Sequence, residues 1–155
     1  MNLQRNLRFW IPPLLWLAII WFASTDLFSA EHTGRVLRSL PWLRSLAPLE
    51  FERIHFLIRK AAHLIEYAVL GFLFFRSWRQ SSSKQIWISW KSRWAVYSLL
   101  ACVTMAFLDE FHQRFIPSRT SSLRDVALDA TGALCSILLI RIWVATRVRI
   151  SHKAS

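Results

Sequence analysis

The sequence predicts an all-α integral membrane protein, a bundle of four helices with both chain ends on the cytoplasmic side. Three observations carry that expectation. Hydrophobic residues make up 54% of the 155, yet 19% are charged, so apolar and charged residues are segregated along the chain rather than mixed. Four stretches reach the ~20 largely apolar residues that a spanning helix needs. Runs such as IPPLLWLAIIWF and VYSLLACVTMAFL lack the polar face that a helix of a soluble bundle would show. The whole chain reads as a single membrane domain, residues 1–155.

The spans are expected at about 9–28, 56–76, 94–113 and 123–144. Pro12 and Pro13 fall in the first turn of the first span, where a missing N–H costs least. The fourth span is the least apolar, because Asp125, Asp129 and Arg141 lie within it. Cys102 and Cys135 each sit inside an apolar run, as small buried residues do, and do not suggest a disulfide. The formal charge is +11. Because the basic residues lie mostly between apolar runs, membrane lipids with anionic headgroups are the expected partner, and nucleic acid is not.

Charge asymmetry orients the bundle. Arg5, Arg8, Arg76, Arg79, Lys84, Lys91, Arg93, Arg147, Arg149 and Lys153 flank the side that carries the termini, with no acid among them. The arginines of the other side are mixed with Glu31, Glu50 and Glu52. Cytoplasmic termini follow from the positive-inside rule. Trp10, Trp78, Trp87, Trp90, Trp94 and Trp143 cluster at the same boundary, as an aromatic belt would. The connector from Ser29 to His55 alternates Val36, Leu37, Leu40 and Leu43 with Arg35, Arg38 and Arg44, which suits a short amphipathic segment in the outer interface. Pro48, with Glu50 and Glu52 after it, looks like a helix start ahead of the second span.

The ionisable residues converge at the outer ends of the helices. On the second helix His55, Arg59, His63 and Glu66 share one face at 3.6 residues per turn, flanked by Lys60 and Tyr67. On the third, Asp109, His112 and Gln113 share a face, with Glu110 to one side. On the fourth, Asp125, Asp129, Gly132 and Ser136 form a stripe with small residues below the acids. The first helix ends in Ser24-Thr25-Asp26, and Arg119 lies in the turn between the third and fourth. A ligand pocket is thus expected from Asp26, Arg59, Lys60, His63, Glu66, Tyr67, Asp109, Glu110, His112, Gln113, Arg119, Asp125 and Asp129.

Three chemistries fit such a set. A basic and acidic pocket can grip an anionic headgroup or a zwitterionic ligand. An acid–base enzyme could pair His63 or His112 with Asp109 or Asp125, although no nucleophile stands out beyond serines such as Ser121 and Ser122, which suit helix caps. A structural clasp would use the ion pairs only to hold the helices together. His63, Asp109, His112 and Asp125 also have ligand chemistry, but without HExxH or a cysteine pair no metal and no cofactor is expected.

These stretches, RKAAHLIEY from Arg59, DEFHQRFIPSR from Asp109 and D-x3-D-x2-G from Asp125, resemble the VanZ-like family of small bacterial membrane proteins, as does WFAST before Asp26. The family's recurrent polar positions map onto Lys60, His63, Tyr67, Asp109, Glu110, His112, Gln113, Arg119 and Asp125. Ser118 stands where glycine is usual and Asp129 where asparagine is common. The resemblance implies a multi-pass protein of the bacterial cytoplasmic membrane. It also implies a setting in the cell envelope, since the family is named for a component linked to teicoplanin resistance. The function it suggests is binding or modifying an anionic or lipid-linked envelope molecule.

Overall fold

The computed structural model of the chain describes residues 3–25, 29–82, 90–116 and 121–153. Every regular element among them is a helix: α1 (Leu3–Ala23), α2 (Ala30–Arg38), α3 (Pro41–Arg44), α4 (Pro48–Ser82), α5 (Ser92–Gln113) and α6 (Leu123–Lys153). The longest, α4, is the hub, packing against α1, α5 and α6. Its contacts run antiparallel to α1, where Trp10 meets Trp78 and Ile20 shares a cluster with Tyr67. They run parallel to α6, where Lys60 meets Asp125 and Gly71 meets Ala133. The start of α1 and the end of α6 therefore lie at the same end of the bundle.

Two helices, α5 and residues 123–150 of α6, are long and apolar enough to cross a membrane. The apolar part of α1, Leu7–Ala23, is shorter, and residues 26–28 of the first expected span lie outside the described residues. The 35 residues of α4 are ample in length, but Arg59, Lys60 and Glu66 interrupt its apolar sequence. Large apolar side chains nonetheless stand exposed on all four long helices, among them Leu15, Phe72, Leu100 and Leu139.

Helix α1 begins earlier than the sequence suggests, so Pro12 and Pro13 lie in its interior. A proline at 13 leaves the carbonyl of Phe9 without its intrahelical donor. Ser77 of α4 lies 2.6 Å from that carbonyl and can donate its hydroxyl to it, with its own Leu73 carbonyl, 2.9 Å away, as the competing acceptor. The freed backbone group is thus matched by a donor from the neighbouring helix, as a low-dielectric setting requires.

Helix α2 starts at Ser29, whose hydroxyl accepts from the His32 N–H, with Glu31 in the first turn and Arg35 and Arg38 in the last. It lies over the first turns of α4. A Cβ on Gly34 would come within 3.3 Å of the His55 ring. Thr33 and His55 share a hydrogen bond of 3.0 Å. Burial, then the charge of Arg59 one turn on, lowers the His55 pKa, with Glu52 opposing.

The tightest approach joins α4 and α6. A Cβ on Gly132 would lie 2.2 Å from the Leu64 carbonyl oxygen, so only glycine permits this spacing. Below it, Ile20, Tyr67, Leu70, Phe74, Cys102, Ala106, Val126 and Ala133 form one core drawn from all four long helices. At the far end Trp10 stacks edge-on against Trp78, and Phe75 packs against both Trp90 and Trp94. Trp94 is buried there rather than exposed in a belt, and Trp87 lies outside the described residues. Both cysteines are free. Cys102 is buried as expected, but Cys135 is exposed, because it falls on the outward face of α6.

Candidate functional site

An apolar helix that ends in DEFHQ must find partners for its polar groups, and α5 finds them within its own last turns and at the start of α6. Asp109, Glu110 and Gln113 are all buried. The Gln113 amide donates to Asp109 Oδ2 at 2.9 Å, one turn back on the same helix. Glu110 reaches across to the start of α6, where its Oε2 accepts from the Ser122 N–H at 2.6 Å. A carboxylate there satisfies one of the amides left open at a helix start and meets the positive end of the helix dipole. The Ser122 hydroxyl accepts in turn from the Arg124 N–H at 3.2 Å, the capping role its position suggests.

One turn further along α6 the acids meet α4. Lys60 and Asp125 form an ion pair, 30% and 16% exposed at their side chains. Asp129, fully buried, places Oδ1 3.5 Å from Nδ1 of His63, the outer limit of a hydrogen bond. The fully buried Tyr67 sits within the fields of Asp109, Asp129 and Glu66. Among the described residues the Tyr67 hydroxyl, Asp109 Oδ1 and Asp129 Oδ2 have no hydrogen-bond partner. Orphaned polar atoms at that burial are costly and call for a bound molecule, a shared proton or ordered water.

His112 turns elsewhere. Its ring stacks on Trp21 of α1, with centroids 5.5 Å apart and planes 9° from parallel, so it meets α1 instead of joining Asp109. Trp21 was not foreseen, and neither was Trp16, whose indole N–H donates to the Glu66 carbonyl at 2.9 Å and fastens α1 to α4. Tryptophans within a long apolar run carry no mark in the sequence that separates them from lipid-facing ones.

The polar face of α4 opens on a cleft of about 630 Å³ between the end of α1, α2 and α4. His32, Arg35, His55, Arg59, His63 and Glu66 line it, with apolar walls from residues such as Ile58 and Val36. The expected face of His55, Arg59, His63 and Glu66 is therefore one side of a real depression, whereas Lys60 and Tyr67 point to the acids of α5 and α6. Where the sequence suggests one chamber there are two compartments, an open cleft and a buried acidic cluster, with His63 in the wall between them. The α2 residues that line the cleft, His32, Thr33, Arg35, Val36 and Leu37, were not among the expected site residues. Asp26 and Arg119 lie outside the described residues. Among the described residues no group of three or more His, Cys, Asp or Glu is placed to hold a metal ion.

A family model described as VanZ/LLP1 matches residues 9–144, from the early part of α1 to Val144 of α6. The chain belongs to the VanZ/LLP1 family. The three polar stretches that build the cluster and the cleft all fall within the VanZ/LLP1 match. No curated protein and no solved structure matches the chain.

Proposed function

We propose that this VanZ/LLP1 protein is a multi-pass protein of the bacterial cytoplasmic membrane whose outward end binds or modifies an anionic or lipid-linked molecule of the cell envelope. Four spans with cytoplasmic termini fit the exposed apolar side chains on all four long helices and the basic flanks at the end that carries the termini. The observation that carries the functional reading is the set of buried polar atoms on Tyr67, Asp109 and Asp129 that have no hydrogen-bond partner among the described residues, beside an open cleft. A clasp whose only task was to hold helices together would pair its charges, as Lys60 and Asp125 do. A link to glycopeptide resistance would follow if the bound molecule belongs to the cell wall or its lipid-linked precursors.

A second reading, an acid–base enzyme, has a specific support. His63 lines the cleft and turns Nδ1 toward the buried Asp129, which leaves Nε2 as the ring nitrogen able to meet a ligand. A carboxylate behind a histidine in this way fixes its tautomer and orientation.

Asp109→Asn and His63→Gln separate these readings in cells, with accumulation in membranes measured beside the resistance or envelope phenotype. Both variants are expected to accumulate normally and to lose function. Normal accumulation with full function would overturn the pocket, and failure to accumulate would point to the clasp. Catalysis is distinguished by turnover of an envelope lipid that the wild type converts and His63→Gln does not. Orientation is tested with Ser121→Cys, after Cys135 has been replaced by alanine to remove the exposed native thiol. An impermeant maleimide is expected to label Cys introduced at this position from outside the cell, and labelling from the cytoplasmic side alone would invert the topology.

A further inference from the structure

The two adjacent cations of α4 are treated differently by the fold. Lys60 is neutralised by Asp125. Arg59, half-buried in the wall of the cleft, has no ion-pair partner among the described residues. Burying part of a guanidinium without a counter-charge is unfavourable, so this position in the cleft wall suits a bound anion. Arg35 faces the same cleft from α2. Its ion pair with Glu31, at 3.8 Å, is between side chains 64% and 78% exposed, and such a pair holds the arginine weakly.

We propose that this cleft holds the phosphate-bearing head of an anionic amphiphile between Arg59 and Arg35, with its hydrocarbon chain running out past Ile58, Ala62 and Val36. This rests on the function proposed above and names the chemistry of its ligand. Two guanidinium forks that line one cleft from different helices suit the several acceptor oxygens of a phosphate ester. Glu66 puts negative charge at the inner end of the cleft, so the phosphate lies toward the outer end, between the arginines and near the imidazole of His55. Ile58 and Val36 are 42% and 69% exposed and continue the cleft on to the apolar flank of the bundle, where a lipid chain lies in a bilayer. The Thr33–His55 hydrogen bond and the close seat of Gly34 hold α2 over the site at this height.

The test uses native mass spectrometry of the full chain, extracted from vesicles of phosphatidylcholine that contain either phosphatidylglycerol or a polyprenyl monophosphate as a minor component. At least one anionic lipid is expected to remain as a single adduct through delipidation, while phosphatidylcholine does not. Retention of phosphatidylglycerol assigns the site to a phosphodiester headgroup, and retention of the polyprenyl lipid alone assigns it to a terminal phosphate. Arg59→Gln is expected to lower the adduct about tenfold, as loss of a charge-assisted contact does. Arg93→Gln, an exposed cation at the opposite end of the bundle, leaves it unchanged. Arg35→Gln, on the exposed α2, lowers it by a smaller factor and supplies the reading if Arg59→Gln fails to accumulate. Retention of neither anionic lipid, or equal retention by the Arg59 and Arg93 variants, overturns the proposal. Inactivation by Asp109→Asn alongside either of those results would leave the function proposed above standing and remove only this ligand class.

Discussion

Replacing Gly132 by alanine is expected to destabilise the protein by about 3 kcal/mol or more, at the upper end of overpacking effects. The added Cβ would meet the Leu64 carbonyl oxygen at 2.2 Å, and the next nearest atoms, at 3.1 and 3.2 Å, also belong to the Leu64 backbone. No rotamer change can relieve a clash with backbone, so α4 and α6 must separate. Separation strains the Lys60–Asp125 pair and the approach of His63 to Asp129, because both cross the same interface. Gly71→Ala supplies the comparison. Its nearest obstacle, Ser136 Oγ at 2.8 Å, can rotate away, although Ala133 Cα at 3.0 Å still crowds it. A loss of about 1–2 kcal/mol is expected there. Thermal unfolding in detergent and the amount of protein in membranes check both, and a Gly132→Ala protein that melts with the wild type would show that this approach does not exist.

The second large effect is electrostatic. Lys60→Met leaves Asp125 charged and only 16% exposed at its side chain, with no cation opposite. Breaking a fully buried pair costs about 3–5 kcal/mol, and the partial exposure of these groups reduces the expected loss to about 2 kcal/mol. The double variant Lys60→Met/Asp125→Leu removes both charges and is expected to recover most of that loss, giving a clear coupling in a double-mutant cycle. A double variant as unstable as the sum of the two single changes would mean that the residues do not act as a pair.

The helix-face reading of α4 succeeded for a physical reason. His55, Arg59, His63 and Glu66 recur at helical spacing, and the angle between residues on one helix is fixed by the backbone alone. The same logic could not place His112. It groups with Asp109 and Gln113 along α5, but the rotation of α5 is set by its packing on α4 and α6, which leaves His112 beside Trp21 of α1. Nor could it divide the polar groups into a cleft and a buried cluster, because that division depends on which helix covers which side of α4. Pro12 and Pro13 teach the same lesson. Their cost was judged from a helix start that lies earlier, at Leu3, and the Ser77 hydroxyl within reach of the Phe9 carbonyl lies 68 residues away in the chain. The family resemblance was legible because the motifs are local strings. The order in which the helices pack is not a local property.

The apolar layer beneath the acids has its own consequence. Tyr67, Leu70, Phe74, Cys102, Ala106 and Ala133 close the bundle immediately below Asp109 and Asp129. That layer offers a polar molecule no path through the bundle toward the end that carries the termini. Under the proposed function the cleft is then a one-sided receptacle, filled and emptied near the end of the bundle where α4 begins.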